Sequence, residues 1–187
     1  KRKAVLSDEE ELQLLRTLCE HIRQRSLSRL PDLLEQLEEN LTRLGVKVHW
    51  AETPAEACEI IHGIVSAHNG KLMVKGKSMV SEEIELNHYL ADNGVKAVES
   101  DLGEFIVQMA GEKPTHIVMP AIHKTKEQVS ELFHQNLGTP LTDDVDQLTG
   151  FARQALRDVY RTADVGLSGV NFAVAETGTL CLVENEG

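Results

Sequence analysis

Segments patterned like β-strands alternate with segments patterned like α-helices from Gly45 onward, and this alternation limits the fold more than any other feature. Strands separated by helices of this length predict βαβ units, in which the strands run parallel and helices cover both faces of the sheet. We therefore expect an α/β domain with a mostly parallel sheet flanked by helices. Its predicted strands are VKVHWA, KLMVKG, VKAVES and THIVMP.

Helix signals follow these strands. Thr53, Asp101 and Thr125 each precede a helical pattern and supply the side-chain oxygen that caps a helix amino terminus. Glu104 follows Asp101, and Gln128 follows Thr125, at the spacing of a capping box. Further helices are expected over residues 81–91 and 145–159.

The amino-terminal part has a different pattern, with leucines at helical spacing over residues 8–44. Pro31 marks either a break between two helices or the first turn of the second. We expect a helical extension over residues 1–44, which packs on the domain or on a partner, and an α/β domain over residues 45–187. Because the chain begins at Lys1 and stops directly after a strand-like run, we expect it to be a fragment of a longer protein.

The closing run, TADVGLSGVNFAVAETGTLCLVENEG, consists of short β-prone segments separated by glycines. This pattern predicts strands joined by short turns, which we expect to add to the sheet in antiparallel fashion. Glu176 and Thr177 fall at one of the predicted bends. An acid at such a bend is either a turn residue of a hairpin or a ligand contact or acid/base group.

The composition excludes several function classes. The net charge is −11, and no basic stripe is present to follow a nucleic-acid backbone. No apolar run approaches the roughly 18 residues of a membrane helix, and the amino terminus lacks the apolar centre of a signal peptide, so we expect a cytoplasmic protein. Cys19, Cys58 and Cys181 show no CxxC spacing, and no HxH or HExxH motif occurs. We therefore expect no metal site within this chain.

Ligands of parallel α/β sheets bind beyond the carboxyl ends of the strands, so residues that follow the predicted strands are candidates for a site. Lys75, Lys77 and Ser78 follow the second strand. They are either solvated turn residues or groups that hold a phosphate or carboxylate beside a helix amino terminus. His123 and Lys124 follow the fourth strand and suit acid/base chemistry or an anionic ligand.

Carboxylates complete the set of candidates. Glu99 and Asp101 follow the third strand, where carboxylates serve in acid/base work or cation binding. Asp101 is better explained as a helix cap, whereas the role of Glu99 stays open. Glu176 is the strongest single acid, and Asn171 and Thr177 of the closing run are further ligand-binding candidates.

Four long segments, in order, resemble a known family. KSMVSEEIELNHYL, ESDLGEFIVQ, HIVMPAIHKTKEQV and the closing run look like the lactate utilisation protein B family over about residues 30–187. The region resembles the LUD domain that opens those proteins, whose fold is similar to that of the NagB/RpiA/CoA-transferase-like group. The resemblance implies a parallel-sheet α/β domain, in agreement with the alternating pattern.

The resemblance also implies a role in NAD-independent oxidation of L-lactate to pyruvate, with other subunits of a lactate-oxidation complex as partners. In that family, [4Fe-4S] clusters are bound by cysteines that follow the LUD domain, and this chain ends before any such cysteines. We therefore expect this chain to bind no cofactor. We expect it to be a domain that either binds a small organic anion or docks to a partner subunit. The alternative is an enzyme that acts on a CoA ester or sugar phosphate through Glu176, by analogy with the wider fold group.

Overall fold

The computed structural model describes residues 8–116 and 118–183. The described residues form two compact units, residues 8–48 with 172–181 and residues 49–116 and 118–171 with 182–183. Within the described residues, the first unit contains two helices and a β-hairpin, and the second contains a parallel sheet with six helices.

The described residues form eight helices, and three of them begin at the predicted caps. Numbered along the chain, they are α1 (Glu9–Ser28), α2 (Leu30–Arg43), α3 (Pro54–Ala67), α4 (Met79–Glu83), α5 (Leu86–Asp92), α6 (Leu102–Ala110), α7 (Lys126–Leu137) and α8 (Val145–Thr162). The side chains of Thr53, Asp101 and Thr125 each accept the N–H of the third helical residue. Thr125 and Gln128 form the predicted capping box, which satisfies two backbone N–H groups at the start of α7.

The second unit is built on a parallel three-stranded sheet. Its strands are β1 (Leu72–Lys75), β2 (Lys96–Glu99) and β3 (Val165–Leu167), in the order β2-β1-β3. The predicted α/β class, with a parallel sheet and an amino-terminal helical part, is confirmed. In the register of the sheet, Lys75 lies between Glu99 and Leu167, so the carboxyl ends of the described strands share one edge.

Two apolar clusters form the core of this unit. One includes Val98 and Phe133, and the other includes Met73 and Leu90. Successive residues of a strand point to opposite faces, and Leu72 packs against the first cluster although its neighbour Met73 belongs to the second. The clusters therefore lie on opposite faces of the sheet, as expected for a parallel sheet.

Gln108 ties α6 to the edge strand β2. Its amide Nε2 donates to the Ala97 carbonyl at 2.9 Å, and its Oε1 accepts the Glu99 N–H at 3.0 Å. The side chain thus makes hydrogen bonds that a neighbouring strand would otherwise make, and it holds the last turn of α6 beside the end of β2.

The first unit combines α1 and α2 with an antiparallel hairpin of β4 (Phe172–Val174) and β5 (Thr179–Cys181). Asn40 of α2 donates its Nδ2 to the carbonyls of Ala175 (2.7 Å) and Glu176 (3.1 Å) in the hairpin turn. Gly178 closes that turn at φ +72°, a left-handed conformation that favours glycine. A Cβ atom there would lie 3.1 Å from the backbone carbon of Asn40, so the close approach to α2 also needs glycine.

Two of the four predicted strands of the sheet were wrong. Val46 donates its N–H to the Leu41 carbonyl at 2.9 Å, so VKVHWA begins as the cap of α2 rather than as a strand. In THIVMP, the Thr115 N–H donates to the Pro120 carbonyl at 3.3 Å, which closes the segment into a loop. Ile117 of that segment lies outside the described residues.

Two further predictions need correction. The helix expected over residues 81–91 is divided into α4 and α5, because Glu85 adopts a left-handed conformation at φ 53°. The antiparallel addition to the main sheet was also wrong: β3 joins that sheet in parallel, and β4 and β5 form a separate two-stranded sheet.

Candidate functional site

A buried ion pair lies at the carboxyl ends of β1 and β2. Lys75 Nζ lies 2.8 Å from Glu99 Oε1, and the two residues are only 0% and 4% exposed. They are direct partners in the register of the sheet. Each charge compensates the other, because a single ion at this depth would lose its hydration without replacement.

Neighbouring helices complete this pair. Lys75 Nζ donates to Ser81 Oγ of α4 at 2.9 Å, and Asn87 Nδ2 of α5 donates to Glu99 Oε1 at 2.6 Å. Asn87 Oδ1 and Glu99 Oε2 are buried without a hydrogen-bond partner among the described residues. Such unpaired oxygens are uncommon in protein interiors, and each has a physical cause such as local strain, a catalytic role, or a bound water or ion.

Glu104 adds a third carboxyl group to this cluster. It is the third residue of α6, three positions after the Asp101 cap, and it is 3% exposed. Burial is the main cause that raises its pKa to about 8, and the neighbouring carboxyl groups of Glu82 and Glu99 raise it further. The carboxyl group is therefore predominantly protonated at neutral pH, the state in which a carboxyl group has an O–H to donate.

A cavity of about 140 Å³ lies beside Glu104 and is lined by Met79, Glu82, Glu104, Pro114, Thr115 and His116. Thr115 and His116 are exposed and Glu104 is buried, so the acid lies at the inner end of the cavity. His116 Nδ1 accepts the N–H groups of Val118 and Met119, both at 3.1 Å. Its proton consequently resides on Nε2 when the ring is neutral.

A second cluster surrounds His123. Its Nε2 lies 2.7 Å from Glu112 Oε2, and its Nδ1 lies 2.9 Å from Thr115 Oγ1. Lys124 also bonds to Glu112, and this bond, followed by that of His123, holds the pKa of the Glu112 carboxyl below its usual range. Glu112 thus orients the imidazole and ties the loop before α7 together.

Similarity to known proteins identifies the family of this chain. The sequence model of the LUD domain family matches residues 34–187, which is most of the chain. The chain belongs to the LUD domain family. The resemblance described above is confirmed.

Relatives of this LUD domain include three proteins called lactate utilization protein B. That of Bacillus cytotoxicus is 47% identical over 172 residues, which are 92% of this chain and 36% of that protein. That of Bacillus pumilus is 47% identical over 173 residues, with 92% and 37% covered, and that of Bacillus thuringiensis is 45% identical over 172 residues, with 92% and 36% covered. The chain therefore spans little more than a third of these relatives. No solved structure matches it.

The lysines predicted to hold an anion have other contacts in the LUD domain. Lys75 is buried against Glu99, and Lys124 bonds to Glu112. Lys77 Nζ lies 3.5 Å from the carbonyl oxygen of Val118. Within the second unit, the predicted lysines thus do not form a common cationic cradle among the described residues.

The remaining candidates are spread over both units. Ser78 caps α4 by accepting the Ser81 N–H, and Asn171 Oδ1 accepts the Val183 N–H at 2.8 Å. Glu176 and Thr177 belong to the first unit, where the Glu176 side chain is exposed in the hairpin turn. Thr177 Oγ1 lies 2.7 Å from the hydroxyl of Thr179.

Three acids of the two clusters in the second unit were not among the candidates predicted from the sequence. They are Glu82, Glu104 and Glu112. One signal was available for Glu104, because this acid precedes the apolar run FIVQMA and three buried residues follow it directly. An acid within a buried helix face needs either a partner or a raised pKa. The spacing predicted Glu104 as the acid of a capping box, and this was wrong: Asp101 accepts the Glu104 N–H, but among the described residues the Glu104 side chain does not accept the Asp101 N–H.

The cysteines of this LUD domain do not fit an iron-sulfur cluster. A [4Fe-4S] cluster takes four cysteine thiolates, and the chain has three cysteines. Cys58 is buried in α3, with its thiol 3.4 Å from the Ile84 carbonyl. Within residues 8–116 and 118–183, no group of three or more His, Cys, Asp or Glu side chains is arranged to hold a metal ion. No helix of these residues is both long and apolar enough for a membrane span.

Proposed function

We propose that this LUD domain belongs to a cytoplasmic electron-transfer subunit that takes part in the NAD-independent oxidation of L-lactate to pyruvate. The observation that carries the proposal is the 47% identity to lactate utilization protein B over 92% of the chain. Since the chain spans 36% of that relative, the remaining part of such a protein has room for the [4Fe-4S] clusters. The domain itself acts in subunit docking.

Helix α1 supports a docking role. None of its 20 residues is buried, and Leu15, Leu18 and Ile22 lie on one face with about half of their surface exposed. Apolar side chains at helical spacing on an exposed helix are suited to a groove in a partner. The partner we propose is another subunit of the lactate-oxidation complex, because Lys75 and Lys124 are engaged by carboxylates rather than free for an anion.

A domain exchange tests the proposal. The segment of Bacillus pumilus lactate utilization protein B that matches this chain is replaced by the chain, and the chimera is expressed in a strain that lacks the native protein. We expect the chimera to restore growth on L-lactate. Iron and sulfide content of the purified chimera report on the clusters independently of growth.

Variants of α1 separate docking from cluster binding. Leu15→Asn combined with Leu18→Asn should abolish growth on L-lactate while iron content stays unchanged. Glu20→Gln, on the opposite side of the helix, is the matched control and should retain growth. A chimera that binds its clusters but does not support growth would contradict the proposed role in lactate oxidation.

The alternative, a CoA-ester or sugar-phosphate enzyme that uses Glu176, stays a prediction. Its direct test is turnover of acyl-CoA and phosphosugar substrates by the chain and by Glu176→Gln. Unchanged turnover in Glu176→Gln would exclude this residue as the nucleophile.

A further inference from the structure

The cavity beside Glu104 has an unsatisfied acid at its inner end. Glu104 Oε2 is buried and has no hydrogen-bond partner among the described residues, and the residue is 3% exposed. The cavity of about 140 Å³ corresponds to the volume of roughly five water molecules. A small polar group bound there would satisfy the Glu104 oxygen at the inner end.

The charges around Glu104 favour a cation over an anion. Glu82 from α4 and Glu99 from β2 both raise the pKa of Glu104, and the charge of Glu99 is already compensated by Lys75. Asp101 caps α6 through the Glu104 N–H, and His116 lines the outer part of the cavity. An anion would meet Glu82 at close range, whereas a cation would relieve the repulsion among these carboxyl groups.

The chemistry of the lining also indicates the kind of cation. Glu82, Glu104 and the Thr115 hydroxyl offer several hydrogen-bond acceptors once Glu104 has lost its proton. A metal ion is disfavoured, because no group of three ligating side chains converges within residues 8–116 and 118–183. A group with several N–H donors and one positive charge matches this lining.

We propose that this cavity binds a small organic cation, an ammonium or guanidinium group, in exchange for the proton of Glu104. Binding places the cation against the carboxylates of Glu82 and Glu104, and one proton leaves Glu104 for the solvent. The source of the group is either a free amine or a lysine or arginine side chain of another protein. The site is independent of the role proposed in lactate oxidation.

Isothermal titration calorimetry of the full chain with methylammonium chloride tests this exchange. Because Glu104 has a pKa of about 8 and must ionise, affinity should be about 25-fold higher at pH 8.5 than at pH 6.5. Close to one proton per cation should be released at pH 6.5, measured in buffers of different ionisation enthalpy. Tetramethylammonium, which has the same charge without N–H donors, should bind at least tenfold more weakly.

Matched variants complete the test. Glu104→Gln keeps the shape and the neutral state of the side chain, and it should abolish both the pH dependence and most of the binding. Glu82→Gln should weaken binding at least tenfold, and Glu83→Gln, an exposed neighbour on α4, should bind like the original chain. Equal affinity at both pH values, or unchanged binding by Glu104→Gln, would overturn the proposal.

A lysine analogue identifies the source of the cation. If N-acetyl-lysine amide binds at least tenfold more tightly than methylammonium, the result supports a protein side chain as the occupant. Equal or weaker binding of the analogue supports a free amine. Absence of binding by both compounds at pH 8.5 contradicts the site itself.

Discussion

Replacing Lys75 with methionine removes the cation that compensates Glu99, and we expect a loss of about 3–5 kcal/mol in the free energy of unfolding. At the observed 2.8 Å separation, the Coulomb attraction is about 6 kcal/mol for an effective dielectric constant of about 20. Part of this attraction is offset by the desolvation of two residues that are 0% and 4% exposed. Because domains are stable by only about 5–15 kcal/mol, the variant should be close to unfolding.

The double variant Lys75→Met with Glu99→Gln distinguishes an unpaired charge from a general packing defect. Glutamine still accepts the hydrogen bond from Asn87 but leaves no buried charge, so most of the lost stability should return. Urea denaturation at pH 7 of the original chain, both single variants and the double variant gives the coupling free energy. We expect at least about 2 kcal/mol of coupling, and additive losses or a Lys75→Met loss under about 1 kcal/mol would refute the reasoning.

Three further predictions concern helix caps, the hairpin and pH. Thr125→Ala should lower stability by about 1 kcal/mol through loss of the α7 cap, whereas Thr149→Ala within α8 should change it by less than about 0.5 kcal/mol; urea denaturation measures both. Gly178→Ala should lower the free energy of unfolding by about 1–3 kcal/mol, because residue 178 has a φ of +72° and is in contact with α2. Gly150→Ala is the control, because a Cβ at this position of α8 meets nothing within 4 Å, and it should raise the free energy of unfolding by about 0.5–1 kcal/mol. Thermal unfolding measures both variants. The folded state raises the pKa of Glu104 from 4.5 to about 8, so its stabilising effect is complete below pH 4.5 and is lost as the pH rises toward 8. Stability relative to Glu104→Gln should therefore fall by up to about 5 kcal/mol over this range, and a flat difference in urea denaturation would contradict the assignment.

Local signals in the sequence predicted much of the fold because they act within a few residues. The caps at Asp101 and Thr125 form as expected, and the strands that end at Lys75 and Glu99 pair in parallel. The strand predicted for THIVMP does not form, because the side chain of His116 accepts two backbone N–H groups of its own loop. The strand pattern of a short apolar run does not reveal such a competing contact.

The site was harder to predict than the fold. Lys75 and Glu99 were placed correctly at neighbouring strand ends, yet the sequence does not show that they neutralise each other. Whether a charged residue meets a ligand or a counter-ion depends on the register between two strands, which is a property of the tertiary structure. Glu104 illustrates the same limit, because its raised pKa arises from burial and from Glu82 and Glu99 on other elements.

Infrared difference spectroscopy of the original chain against Glu104→Gln tests the central claim most directly, namely that a neutral acid lies at the inner end of the cavity. The carboxyl group of Glu104 should show the C=O stretch of a protonated acid at pH 6, and the band should disappear with a midpoint near pH 8. A group already ionised at pH 6, with a midpoint near the ordinary value of 4.5, would contradict the account.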